Sequence, residues 1–190
     1  MKIGLLGGTF NPVHIGHMIL AQECWSQLVL DKVIFVPARI PPLKEMEGKA
    51  SDEDRMNMVR MAVEGDDRFE TSSYEMGRDE ESYSINTIKH FRKEYSPDTE
   101  LFFLTGADAA ESLSMWKDID EILEMTNFVI ATRPGWGEKS PYERKVWRIV
   151  IPQIEVSSSM IRERIRNREP IDYLVPAPVV KYIMNKGLYK

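Results

Sequence analysis

Two histidines three residues apart, His14 and His17, follow the glycine pair Gly7 and Gly8 in the string GGTFNPVHIGH. Glycines carry no side chain, so a polyphosphate can approach the backbone there. A helix beginning near Val13–Ile15 would turn free N–H groups and the positive end of its dipole toward an anion. His14 and His17 then share one helical face. Gly16 between them leaves room for a ligand to lie against the helix. The string lacks the lysine of a Walker loop and the spacing of Rossmann glycines. Zinc is another chemistry for two histidines, but it wants further ligands, and the third histidine, His90, sits in an ordinary helical stretch. For either histidine alone, a capped strand–turn–helix corner is the plain alternative. A second candidate anion site is VSSSMIR, where Ser157, Ser158 and Ser159 open a helix and Arg162 follows near its first turn. Hydroxyls, N–H groups and a guanidinium would there face one anion. The alternative is a serine N-cap with a solvent-facing arginine.

These residues need a scaffold, and the hydrophobic pattern supplies one. Short apolar runs at 2–7, 32–37, 68–76, 99–108, 127–135 and 144–152 read as strands. Helical periodicity or capping signals mark 15–30, 51–65, 82–95, 118–125, 157–167 and 176–189. Residues 38–50 read as a loop rich in proline, lysine and glycine. Strands alternate with helices, which implies a doubly wound, Rossmann-like α/β fold with a mostly parallel sheet and helices on both faces. No repeat or linker interrupts the pattern, so residues 1–190 are expected to form a single domain. In such sheets ligands bind beyond the carboxyl ends of the strands. Gly7–Gly8, Pro37, Gly106–Asp108 and Arg133–Pro134 all fall there.

Composition narrows the function classes. The 190 residues are 43% hydrophobic and 29% charged, as in a soluble globular protein. The net charge of -5 argues against a nucleic-acid-binding protein. A single cysteine, Cys24, excludes an intrachain disulfide and reads as a buried structural thiol. No apolar run is long enough for a membrane span and no signal peptide precedes the first strand, so a cytoplasmic location is expected. The apolar C-terminal helix could serve a homo-oligomer interface.

GGTFNPVHIGH resembles the signature of the T/HxGH nucleotidyltransferases, and most closely that of bacterial nicotinate-nucleotide adenylyltransferases. SYSINTI (82–88), TGADAAESLSMW (105–116), RPG (133–135) and VSSSMIR (156–162) extend the resemblance along nearly the whole chain. Asn11 stands where the family often has Asp, and Leu43 where it usually has His. The resemblance implies attack by a phosphate oxygen of nicotinate mononucleotide on the α-phosphorus of ATP, with pyrophosphate leaving. A phosphate monoester has a second pKa of roughly 6, so it is largely ionised at neutral pH and needs no general base. Catalysis then rests on positioning and charge neutralisation.

Under that resemblance His14, His17 and Arg162 are the catalytic set, with both histidines donating hydrogen bonds to ATP phosphates. Gly7, Gly8, Thr9, Phe10 and Ser157–Ser159 complete the phosphate cradle. Gly106, Asp108 and Arg133 lie toward the adenosine. Trp116 stacks on the pyridine ring, Tyr83 and Ser84 at a helix start hold the nicotinate carboxylate, and Lys44 lies near the mononucleotide phosphate. Mg2+ would accompany ATP, held mainly by phosphates and water without a dedicated protein site. A sister enzyme with another acceptor, such as phosphopantetheine or nicotinamide mononucleotide, and a non-catalytic nucleotide sensor are the alternatives.

Overall fold

A computed structural model of the chain describes residues 1–42, 48, 50–107, 112–132, 142, 145–152 and 154–190. Six parallel strands form one sheet in the order β3-β2-β1-β4-β5-β6. They are β1 (Lys2–Gly8), β2 (Lys32–Pro37), β3 (Phe69–Thr71), β4 (Glu100–Gly106), β5 (Asn127–Thr132) and β6 (Val146–Val150). The helices are α1 (Ile15–Leu28), α2 (Asp52–Val63), α3 (Ser84–Glu94), α4 (Ile119–Met125), α5 (Ser158–Arg166) and α6 (Ala177–Lys186). The expected doubly wound, parallel α/β class is the one observed.

The strands are almost continuously apolar because both faces of the sheet are covered. Leu6, Phe35, Phe102, Leu104 and Val129 point to one face and pack under α1, α2, α5 and α6. Their strand neighbours Leu5, Ile34, Leu101, Phe103 and Phe128 point to the other, under α3 and α4. Cys24 lies fully buried in the first core, where burial pushes its thiol up to about 12 and keeps it protonated. Val179 and Ile183 of α6 enter the same core.

Local signals set the helix ends. Ser51 caps α2 by accepting from the Asp54 N–H at 3.0 Å, and Gly187 ends α6 in the left-handed region at φ 64°. α1 stops at Leu28, two residues before its apolar pattern does, because Val29 turns left-handed at φ 53°. β3 spans only Phe69–Thr71, shorter than the run at 68–76 implies. The chain turns away after Thr71, and Glu75 becomes buried.

Strand order reverses at β1, which lies between β2 and β4. The carboxyl ends of β1 and β4 therefore open the crevice where such folds take ligands.

Candidate active site

A cleft of about 660 Å³ occupies that crevice, within the size range of small-molecule sites. Its walls bring together the start of α1, the start of α5, the end of β4 and the start of α3. Gly7, Gly8, Thr9, Phe10, His14, His17, Gly106, Ser157, Ser158, Ser159, Arg162, Tyr83, Ser84 and Trp116 all line it. Lys44, Asp108 and Arg133 lie outside the described residues.

The loop between β1 and α1 is shaped by its own side chains. Phe10 takes φ 47°, a left-handed conformation uncommon for a bulky residue, and its ring is buried beneath Gly8. A Cβ on Gly8 would fall 2.9 Å from that ring. The peptide Asn11–Pro12 is cis. His14 is the N-cap of α1, and its backbone N–H donates to His17 Nδ1 at 3.2 Å. An Nδ1 that accepts leaves the ring hydrogen on Nε2, so His17 is fixed as the tautomer that donates through Nε2.

Gly16 has a further purpose beyond the one its position suggests. A Cβ there would lie 3.0 Å from His14 Nδ1, so the missing side chain makes room for the His14 ring, while Gly16 itself also lines the cleft. The two imidazoles stack with centroids 3.7 Å apart. His14 is only 7% exposed, and burial lowers its pKa to about 4. It is therefore neutral at physiological pH, and any hydrogen bond it gives a phosphate is that of a neutral ring.

This burial links His14 to stability. The unfolded chain takes up the proton near pH 6.5, whereas the folded protein resists it until about 4. Between those values the unfolded state binds more protons, so stability falls as pH drops from 6.5 and levels off below 4. The full effect is about 3 kcal/mol. Urea unfolding at pH 7 and at about pH 4.5 should show a smaller loss for His14→Gln than for the unaltered protein. Equal losses would contradict the burial account.

The second anion site is joined to the first. Arg162 Nη1 donates to the carbonyl of Asn11 at 2.8 Å and Nη2 to Ser159 Oγ at 3.2 Å. Ser158 Oγ donates to the carbonyl of Pro12 at 2.8 Å, and Ser157 caps α5 by accepting from the Met160 N–H. Of the three hydroxyls expected to face an anion, that of Ser158 donates within the protein, whereas the Ser157 and Ser159 oxygens accept and keep their O–H groups for an anion. Ser158 and Arg162 fix α5 against the β1–α1 loop. Arg162, the O–H groups of Ser157 and Ser159 and the N–H groups at the start of α5 are the anion-facing chemistry.

The far end of the cleft is aromatic. Trp116 packs edge-on against Phe103 and Phe128, at 5.8 and 5.6 Å between centroids, while also lining the cleft. It serves core and site together. Tyr83 is the N-cap of α3 and supplies no side-chain hydrogen bond to the helix start. The Tyr83 hydroxyl donates to Glu81. Gly106 closes β4, and a Cβ there would meet only Leu20, at 3.9 Å. Internal packing does not require glycine at that position.

A cytidylyltransferase-like family model matches residues 5–164. The chain is 46% identical over 190 residues to a probable nicotinate-nucleotide adenylyltransferase of Halalkalibacterium halodurans, covering all of this chain and 91% of the relative. It is 39% identical over 189 residues to the nicotinate-nucleotide adenylyltransferase of Bacillus subtilis, covering all of this chain and 98% of that one. The chain belongs to the nicotinate-nucleotide adenylyltransferases. The fold has a counterpart in a solved Plasmodium falciparum nicotinic acid mononucleotide adenylyltransferase complexed with NaAD. That match has a TM-score of 0.82 at 18% identity and covers 99% of this chain and 97% of the other.

Two residues in or beside this adenylyltransferase cleft, Arg55 and Glu75, carry no sequence signal used above, and Asn11 was noted there only as a departure from the family pattern. Arg55 is fully buried, and its Nη1 donates to the carbonyls of Thr9 at 2.7 Å and Ala38 at 2.6 Å. Its Nη2 reaches Asp52 Oδ1 at 2.8 Å. The signal was available: Arg55, Val59 and Val63 are spaced four apart, so the arginine interrupts the apolar stripe of α2. Asn11 Oδ1 accepts from Tyr189 Oη at 2.9 Å and from the Ala50 N–H at 3.2 Å. Both bonds use the amide oxygen as an acceptor, a role a carboxylate oxygen could also fill. Glu75 is buried, and burial raises its pKa, although the Thr87 and Ser82 hydroxyls that donate to it partly offset this.

Proposed function

We propose that the chain transfers the AMP moiety of ATP to the phosphate of nicotinate mononucleotide, giving nicotinate adenine dinucleotide and pyrophosphate. One observation carries this reading. The glycine–histidine loop and the start of α5 are tied together by Arg162 and Ser158, on the wall of a cleft whose far end holds Trp116 and Tyr83. The first pair suits a triphosphate and the second an aromatic base. The names of the relatives agree with it.

In this reading ATP lies along Gly7–Phe10 with its phosphates toward His14, His17 and Arg162. Backbone N–H groups of the loop, Nε2–H of His17 and the guanidinium stabilise charge that grows on the transferring phosphoryl group and the leaving pyrophosphate. The acceptor phosphate is already ionised, so no residue is asked to remove a proton. Trp116 stacks on the pyridine ring, and Tyr83 and Ser84 present the start of α3 to its carboxylate. Asp108, Arg133 and Lys44 join the adenosine and mononucleotide sides on the strength of the family resemblance.

Mg2+ fits as part of the nucleotide complex. The carboxylate among the described cleft residues is Glu75, which turns into the hydroxyls of Thr87 and Ser82. Phosphate oxygens and water, rather than a carboxylate cage, would hold the ion and help neutralise the triphosphate. No described helix is long and apolar enough to cross a membrane; a cytoplasmic location belongs to the same reading.

Incubation with Mg-ATP and a panel of acceptors, read as pyrophosphate release, tests the assignment. Turnover with nicotinate mononucleotide is expected. Turnover with phosphopantetheine alone would move the chain to a sister activity, and no turnover with any acceptor would favour a nucleotide sensor.

A further inference from the structure

Besides the histidines, the described cleft carries the charged side chains Arg162, Glu75 and Lys117. Arg162 is committed to the phosphate side through Asn11. Glu75 is turned into the Thr87 and Ser82 hydroxyls. Lys117 follows Trp116 in the chain, and its Nζ lies 4.3 Å from the centroid of the Tyr83 ring. No carboxylate among the described residues pairs with it. The aromatic face holds the ammonium at the mouth of the pyridine side without neutralising its charge. Tyr83 is also the N-cap of α3 and brings no side-chain acceptor to the first-turn N–H groups. A lysine cation and an uncapped helix start thus converge on one end of the cleft.

We propose that Lys117 is a specificity-determining residue whose ammonium, acting with the start of α3, selects an acceptor ring bearing a carboxylate over one bearing a carboxamide. The inference rests on the reading of the acceptor as a pyridine mononucleotide. A carboxylate gains a charge–charge attraction and charge-assisted hydrogen bonds there. A carboxamide gains neither and brings an N–H₂ toward N–H donors. Glu81 and Glu75 are the opposing charges on this side. Glu81 accepts the Tyr83 hydroxyl and the carboxylate of Glu75 is buried among hydroxyl donors, and among the described residues neither makes an ion pair with Lys117.

The test compares kcat/KM for nicotinate and nicotinamide mononucleotides, with saturating Mg-ATP, in the unaltered protein, Lys117→Met and Lys117→Arg. The acid-to-amide ratio is expected to fall about three- to tenfold in Lys117→Met, between the worth of an exposed ion pair and a charged hydrogen bond. Lys117→Arg should keep most of it. Added salt should lower the ratio in the unaltered protein more than in Lys117→Met. An unchanged ratio in Lys117→Met, or equal losses on both substrates, overturns the proposal. Unaltered protein that turns over neither mononucleotide overturns the acceptor reading itself, before any variant is scored.

Discussion

Replacing His17 with alanine is expected to lower kcat about 10²–10³-fold, the loss seen when one preorganised donor to developing charge is removed. The size follows from how the ring is held. His17 Nδ1 is occupied by the N–H of His14, and its edge packs against Phe10 at 4.9 Å between centroids. Nε2–H is therefore presented in a fixed direction, without reorganisation at the moment of reaction. KM for ATP should change far less, because a contact that strengthens in the transition state acts on kcat. Steady-state kinetics at saturating acceptor check this. A raised KM with unchanged kcat would make His17 a uniform binding residue.

The largest effect on stability is expected at Arg55. Arg55→Met leaves the carbonyls of Thr9 and Ala38 without their donor and takes one of its arginine partners from Asp52, which keeps Arg39. Two carbonyls left unsatisfied beside a fully buried side chain cost about 1–3 kcal/mol each. For a chain of this size that lowers the melting temperature by about 10 °C or more. The loss should reach function as well, since Arg55 joins the glycine loop after β1 to the loop after β2. Lys at this position cannot reach three acceptors with a planar fork, so Arg55→Lys should rescue little. Thermal unfolding reads the effect directly, and an unchanged melting temperature would show that the carbonyls find other partners.

Much of this architecture could be read before any coordinates. Runs such as LFFL in β4 are apolar at every position because each face of the sheet is covered, and the flanking glycines mark where the strands end. The carboxyl-end rule then placed Gly7–Gly8 and Gly106 on one crevice, and they lie on one cleft. The remainder depended on contacts between distant residues. Arg162 meets Asn11 across 151 positions, and Arg55 meets Thr9 across 46. No local period encodes such pairs. The three serines show another limit: their types suggested anion ligands alike, but Ser158 donates to the Pro12 carbonyl while Ser157 and Ser159 accept and keep their O–H groups. Gly16 was legible as room beside the cleft, which it lines, yet not as room for the His14 ring as well. Lys117 carries no motif, and its interest arises only from the ring it lies over.

The most direct test of the central claim is product identity. Purified protein with Mg-ATP and nicotinate mononucleotide should form nicotinate adenine dinucleotide and pyrophosphate in equal amounts, with both rates falling together in His17→Ala. Pyrophosphate release without the dinucleotide, or dinucleotide formation undiminished in His17→Ala, would contradict the account.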